Sequence, residues 1–312
     1  MRIGSTSIAP VILLIGADGQ VGWELRRSLA TLGKVVACAR QQLNLEDADN
    51  IRRVIGNVKP DLIVNAAAYT AVDQAEQEPT LAMAINATAP GIIADEARRL
   101  DAAVVHYSTD FVFDGRASRP YREEDPTNPL SVYGRSKLAG EQALEQAGGA
   151  VLILRTGWVY GCRGRNFLLT VQRLARERDV LRIVDDQIGA PTWCRLLAGA
   201  TAQILSSGIG DFAGHLRESG GVRHLSCVGE TSWCGFARRI LELSSPGEAA
   251  RSRVEAIETC DYPTPAVRPA YSVLDNANVR TTFGLHLPDW EQALELALAD
   301  QTAAWRHWQA HE

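Results

Sequence analysis

The sequence predicts an α/β protein: a doubly wound parallel sheet with a smaller α/β domain at its C-terminal end. Three observations carry this expectation. An apolar run, Val11-Ile12-Leu13-Leu14-Ile15, passes directly into the glycine loop Gly16-Ala17-Asp18-Gly19-Gln20-Val21-Gly22, as a strand buried on both faces does before a ligand-binding turn. Strand and helix patterns then alternate with short connections, which is the signature of right-handed βαβ crossovers. From about Gly161 the alternation loosens. The architecture is therefore Rossmann-type. Residues 1–160 are expected to form the dinucleotide-binding domain, with later segments interleaved, and residues 161–312 to be mainly a substrate-binding domain.

Each element has its own justification. After the glycine loop, Val21, Leu25, Leu29 and Leu32 recur at helical spacing, and Gly33 is placed to cap that helix. Val35 to Ala39 reads as the second strand, about Ala48 to Asn57 as a helix, and Leu62 to Asn65 as the third strand. A helix from about Thr80 to Leu100 leads to the strand Ala103 to Ser108. A Pro/Asp/Gly/Arg-rich loop from about Phe113 to Pro129 comes before a helix starting at Val132 and the strand Val151 to Leu154. In the second half, helices are expected near Phe167 to Glu177, through Leu205, and from about Asp289 to His307, with a short strand near Leu181 to Val184. Gly208 to Gly221 is glycine-rich and lacks a period, so a mobile loop is expected there.

Composition narrows the function classes. The chain has 312 residues, 46% of them apolar and 22% charged, with a net charge of −5. That balance gives no footprint for nucleic acid. No segment approaches the ~20 apolar residues of a membrane span, and Val11 to Ile15 is too short for a signal peptide's apolar region. Six cysteines without any Cys-x-x-Cys pattern read as reduced thiols in a cytoplasmic protein. No metal-ligand spacing is present.

Gly16-x-x-Gly19-x-x-Gly22, set between a buried strand and an amphipathic helix, suits a nucleotide pyrophosphate. Glycines permit the tight turn and close backbone approach, and the helix N-terminus supplies partial positive charge. At the end of the second strand an acidic residue would favour NAD, but Ala39 is followed by Arg40. A guanidinium there favours the 2'-phosphate of NADPH, with NADH as the alternative cofactor; the plain alternative for Arg40 is a solvent-facing side chain. Ala66, Ala67 and Ala68 end the third strand, where small residues let the backbone approach the cofactor.

Downstream, Tyr133-Gly134-Arg135-Ser136-Lys137 puts a phenol and an ammonium on one helix face. A phenol protonates a carbonyl near neutral pH only if a cation stabilises its anion, and Lys137 is the candidate. Thr109 and Asp110 follow the strand through His106, Tyr107 and Ser108, at a carboxyl end where open parallel sheets bind ligands. Thr109, Tyr133 and Lys137 are thus the candidate catalytic set. His106 has no ligand-spaced partner and reads as a packed histidine.

These motifs, with Asn65-Ala66-Ala67-Ala68-Tyr69-Thr70-Ala71-Val72-Asp73, Ser108-Thr109-Asp110-Phe111-Val112-Phe113-Asp114-Gly115, Val132 to Glu141 and Asp186-Gln187-Ile188-Gly189-Ala190-Pro191-Thr192, resemble the dTDP-4-dehydrorhamnose reductases, a branch of the extended short-chain dehydrogenases. The resemblance runs from about Val11 to the C-terminus. It implies NAD(P)H-dependent reduction of the 4-keto group of dTDP-4-dehydro-L-rhamnose to dTDP-L-rhamnose. It further implies Tyr133 as proton donor, Lys137 as its pKa modifier and nicotinamide-ribose ligand, and Thr109 on the sugar carbonyl with Asp110 beside it. Gly19, Gln20 and Val21 would hold the pyrophosphate, Asn44 and Leu45 the adenine, and Ala68, Tyr69 and Thr70 the nicotinamide half. Trp158 would pack on the hexose, the alternative being a core tryptophan. Arg268 would meet the substrate's diphosphate, the alternative being a surface ion pair.

Three positions depart from the family pattern. Asn44 stands where Asp is usual, Gly157 where Ser is usual, and Trp193-Cys194-Arg195 where some relatives place a glutamate for a Mg2+-bridged dimer. An arginine does not ligate a cation, so Mg2+ is not expected, and the chain is read as a monomer or homodimer. Two other readings share the motifs: a nucleotide-sugar epimerase or dehydratase, and a non-catalytic NADP-binding regulatory subunit of methionine adenosyltransferase.

Overall fold

The computed structural model describes residues 9–244 and 253–309. Strand β1 (Val11–Ile15) leads through the glycine loop into α1 (Gln20–Ser28), and the step repeats through β2 (Lys34–Cys38), α2 (Ala48–Val58) and β3 (Leu62–Asn65). Two short helices, α3 (Val72–Ala75) and α4 (Pro79–Met83), precede a π turn over Ala84–Thr88 and then α5 (Ala89–Leu100). Next come β4 (Ala103–Thr109), a 3-10 turn over Asp110–Val112, α6 (Val132–Ala147) and β5 (Val151–Thr156).

The second half begins with β6 (Val159–Tyr160), α7 (Phe167–Glu177), β7 (Val180–Val184), β8 (Ile188–Gly189) and β9 (Thr192–Trp193). Then follow α8 (Cys194–Ser206), α9 (Phe212–Ser219), β10 (Gly221–His224) and β11 (Thr231–Ser232). Last are α10 (Trp233–Ser244), β12 (Arg253–Ile257), α11 (Ala277–Phe283) and α12 (Trp290–Gln309).

Six parallel strands make the central sheet in the order β10-β5-β4-β3-β1-β2. From β1 the chain winds outward to β2, and from β3 it winds the opposite way. The direction reverses between β1 and β3, and a crevice opens above their carboxyl ends, where such sheets bind ligands. Period-2 alternation splits the strand side chains between two cores. Ile12, Leu14, Val64 and Leu154 pack on one face with residues of α1, α8 and α9; Leu13, Ile15, Ile63 and Ile153 pack on the other with residues of α2, α5 and α6. A third core joins Tyr160, Leu168, Phe236, Trp290 and Leu294 away from the sheet. It is backed by β7 and β12, a parallel pair.

Three expectations need correction. The segment Gly208 to Gly221 is not an irregular loop: Asp211 caps α9 by accepting from Gly214 N at 2.7 Å, and Phe212, Ala213 and Leu216 are buried. The strand that follows, β10, pairs with β5. Two turns of helix are too short to display a period, and Gly-Val-Arg-His offers one apolar residue as strand signal. The helical run before β4 is interrupted by the π turn. Gly33 is not a left-handed cap; a Cβ there would stand 2.3 Å from Pro10 O, so glycine serves the close crossing of β1 and β2.

Candidate active site

A cleft of about 740 Å3 lies over the carboxyl ends of β1, β3, β4 and β5. Its glycine loop is shaped by contact as much as by turn geometry. Gly16 sits at φ +83°, and a Cβ there would lie 2.7 Å from Ala67 N; at Gly22 it would lie 2.0 Å from Gly16 O. The two halves of the sheet therefore meet backbone to backbone at the switch point. No side chain among the described residues caps α1, whose N-cap is Gly19, so its first N–H groups are left for an anion. A dinucleotide's pyrophosphate fits this cradle.

At the adenosine end, Ala39, Arg40, Leu43, Asn44 and Leu45 line the cleft. Gln42 Oε1 accepts from Ala39 N at 3.0 Å. Asn44 shapes this loop: its N–H donates to Asn50 Oδ1 at 2.9 Å, and its Oδ1 accepts from Glu46 N at 3.2 Å. Arg40 pairs with Glu46 while its side chain stays 76% exposed. The guanidinium is at the rim, held by an exposed ion pair.

At the other end, Ser131 caps α6 by accepting from Gly134 N at 3.1 Å. A Cβ on Gly134 would stand 2.3 Å from Phe111 O, so the helix start seats directly on the turn after β4. That seat brings half-buried Tyr133 edge-on to Phe111, with ring centroids 5.6 Å apart. Loss of water around its hydroxyl pushes the Tyr133 phenol up to about 12, opposed by a hydrogen bond with Thr109 and reinforced by the Asp110 charge. Thr109 Oγ1 donates to Asp110 Oδ1 at 3.0 Å and accepts from Phe111 N at 3.2 Å.

Lys137 is buried and turned toward β4. Its Nζ donates to Tyr107 O at 2.6 Å and lies 3.0 Å from His106 Nε2. Burial brings the amine down to about 8, against a raising effect of Glu141. Glu141 is engaged elsewhere, in a bidentate pair with Arg155 (2.6 and 3.0 Å) and with Ser108 Oγ.

Two buried oxygens in the cleft, Asp110 Oδ2 and Thr156 Oγ1, have no hydrogen-bond partner among the described residues. Burial pushes the Asp110 carboxyl up to about 6, eased by the hydroxyls of Ser272 and Thr109. A Cβ on Gly157 would come within 2.5 Å of Asp110 Oδ2. Trp158, at φ +49°, holds a backbone region unusual for a bulky residue. Its indole stacks on Trp233 with centroids 3.5 Å apart and planes 3° from parallel, and a Cβ on Gly189 would strike its ring at 2.3 Å. Gly189 thus leaves the slot into which Trp158 fits.

Arg268 reaches the cleft wall with Nη1 and Nη2 on Asp73 Oδ1 and Oδ2 at 3.0 and 2.8 Å. Gly22 and Tyr69 do not line the cleft. Gly22 packs under Gly16, and Tyr69 Oη donates to Glu78 Oε2 at 2.6 Å. The Tyr69 backbone is clamped by Asn86, carried on the π turn, through bonds of 2.8 and 3.0 Å. Gly16, Gly19, Gln20, Val21, Ala67, Ala68, Thr70, Thr109 and Asp110 are all in the lining. So are residues the sequence did not single out, including Val72, Ile85, Arg165 and Trp233. Trp233 starts a helix more than 70 positions beyond Trp158, and no local pattern links the two.

Among the described residues, no group of three or more His, Cys, Asp or Glu is placed to hold a metal ion. Arg195 instead pairs with Glu24 at 3.1 Å and Asp300 at 2.8 Å. No described helix is long and apolar enough to cross a membrane.

The family model described as "RmlD substrate binding domain" matches residues 10–303. The chain is 49% identical over 293 residues to a dTDP-4-dehydrorhamnose reductase of Burkholderia thailandensis, covering 93% of this chain and 98% of that protein. Among solved structures, a dTDP-4-dehydrorhamnose reductase from Clostridium acetobutylicum superposes with a TM-score of 0.85 at 34% identity, covering 93% of this chain and 98% of the other. One from Bacillus anthracis, in complex with NADP, superposes at 0.83 with 31% identity, covering 94% and 99%.

Proposed function

The chain belongs to the dTDP-4-dehydrorhamnose reductase family, and from that premise we propose that its cleft reduces the 4-keto group of dTDP-4-dehydro-L-rhamnose to give dTDP-L-rhamnose. It is an NAD(P)-dependent oxidoreductase, with NADPH as cofactor and NADH as an alternative. The observation that carries the reading is the convergence, at one switch-point crevice, of an uncapped helix N-terminus with Thr109, Tyr133 and Lys137.

NADPH, when bound, supplies the hydride that adds to C4. The glycine loop and the free N–H groups of α1 hold its pyrophosphate. Thr109, whose one proton goes to Asp110 Oδ1 in the ligand-free protein, turns it to the sugar carbonyl, where negative charge develops. Tyr133 transfers its proton to that oxygen, leaving a tyrosinate that solvent reprotonates. Lys137, as the ammonium, stabilises that anion. Asp110 Oδ2 and Thr156 Oγ1, buried without partners among the described residues, accept from or donate to sugar hydroxyls. Trp158 and Trp233 offer an apolar wall for the deoxysugar, and Arg268 takes the substrate's diphosphate.

The body built on the third core is the substrate-binding part of this reading. A cytoplasmic monomer or homodimer fits too, since all six cysteines are free thiols, and Arg195, paired within its own chain, gives no support to a metal bridge. The test is NADPH oxidation with dTDP-, UDP- and GDP-linked 4-ketohexoses, followed by the stereochemistry of the product. Stoichiometric NADPH consumption with the dTDP-sugar, giving the L-rhamno product, is the expected result; redox-neutral conversion would point instead to an epimerase.

A further inference from the structure

His106 is buried at the centre of β4, yet both its ring nitrogens are engaged, Nε2 with a residue that lines the cleft. Nδ1 lies 3.1 Å from Asn65 Nδ2, and Nε2 lies 3.0 Å from Lys137 Nζ. The protons can be placed from the far end of this chain. Ala67 N–H donates to Asn65 Oδ1 at 3.1 Å, so the oxygen of the amide faces Ala67 and its NH2 group faces the imidazole. An NH2 group only donates. Nδ1 must accept, and in a neutral imidazole the remaining proton then sits on Nε2, aimed at Lys137. Burial and the lysine's charge hold His106 well below its usual range, which keeps it neutral.

We infer that Asn65 and His106 are positioning residues that fix the Nε2–H tautomer and so present Lys137 with a donor. The Nε2–H thereby opposes the Lys137 ammonium and adds to the burial that brings the amine down, while Nζ donates to Tyr107 O. Reversing the amide would aim its NH2 group at Ala67 N–H, a contact between two donors. Ala67 itself is pinned against Gly16. The lysine's proton is thereby tied to the backbone that cradles the cofactor.

The charged and titratable groups around Lys137 come from several elements. His106 faces it from β4, and Glu141 and Tyr133 share its own helix. Glu141 is paired with Arg155 of β5, Asp110 acts on Tyr133, and Asn65 of β3 is uncharged. Glu141 favours the ammonium; the Nε2–H opposes it.

The tautomer does not depend on what the protein reduces, whereas its kinetic consequence rests on the reductase reading. The first measurement is therefore 15N NMR of the full chain labelled at histidine, with His106 assigned from the His106→Gln variant. A protonated Nε2 and a lone pair on Nδ1 are expected near neutral pH; the Nδ1–H tautomer or an imidazolium overturns the proposal. The second uses Asn65→Asp, whose two oxygens accept from both Ala67 N–H and His106 Nδ1–H. The tautomer should reverse and give Lys137 an acceptor, so that the alkaline limb of kcat/KM for reduction moves up by about one pH unit or more. A reversed tautomer with an unmoved limb also overturns it. If no 4-ketosugar is reduced, the reductase reading fails, and the wild-type spectrum decides this proposal alone, as it does if Asn65→Asp melts early.

Discussion

Arg268 and Asp73, 195 positions apart, form a two-pronged ion pair at the cleft wall, Nη1 on Oδ1 at 3.0 Å and Nη2 on Oδ2 at 2.8 Å. The arginine holds the Asp73 carboxyl below its ordinary range. Asp73 therefore orients the guanidinium, and in the proposed mechanism it competes with the substrate's diphosphate for it. Arg268→Ala should raise KM for the nucleotide sugar by roughly 10- to 100-fold, the worth of a charge-assisted hydrogen bond, with KM for NADPH unchanged. Steady-state kinetics checks both, and an unmoved sugar KM removes Arg268 from the substrate site.

Tyr133 is the only phenol the proposed mechanism uses. Tyr133→Phe should lower kcat by about 10²- to 10⁴-fold, the usual contribution of general acid catalysis. NADPH binding, followed by fluorescence titration, should change little. Turnover within a few-fold of wild type would sink the proton-donor role.

Asp110 sets a pH-dependent cost on the fold. Its folded-state value, about 6, lies above the ordinary 3.8, so between those two values the folded chain binds more protons than the unfolded one. Stability from this group then falls as pH rises from about 4 to about 6, by up to roughly 3 kcal/mol. Asp110→Asn should remove the dependence, and its advantage in Tm over wild type should be larger at pH 7 than at pH 4.5. Parallel thermal melts test this; an equal difference at both pH values contradicts it.

Gly157 leaves the room that Asp110 occupies. Gly157→Ala puts a Cβ 2.5 Å from Oδ2 and must displace that carboxylate. A loss of about 1–3 kcal/mol, the range for overpacking, should accompany a higher KM for the sugar. If neither chemical denaturation nor KM responds, the contact does not govern the site.

Arg40 stands at the rim in an exposed pair with Glu46. Arg40→Ala should narrow the preference for NADPH over NADH by about tenfold, as expected for losing one phosphate-binding guanidinium. The ratio of kcat/KM for the two cofactors reports it, and an unchanged ratio assigns Arg40 to the surface.

The cofactor half was legible because its signals are local. A run of five apolar residues, a glycine every third position and an amphipathic helix describe one βα unit without reference to the rest of the chain. Tyr133 and Lys137 were likewise readable from helical spacing.

The remainder depended on distances across the chain. His106 reads locally as a packed histidine, and only the register of β3 against β4, which pairs Asn65 with His106, turns it toward Lys137. Spacing put Lys137 on one helix face with Tyr133, whereas packing directed its amine to a β4 carbonyl. Trp158 needs the gap at Gly189 and the face of Trp233, and Arg268 needs Asp73. Five of the six sheet strands, the glycine loop and the candidate reacting groups were legible in the sequence, because periodicity and turn chemistry act over a few residues. Which of those groups share a proton, stack or form an ion pair was decided by tertiary structure, because such contacts form only when distant segments pack.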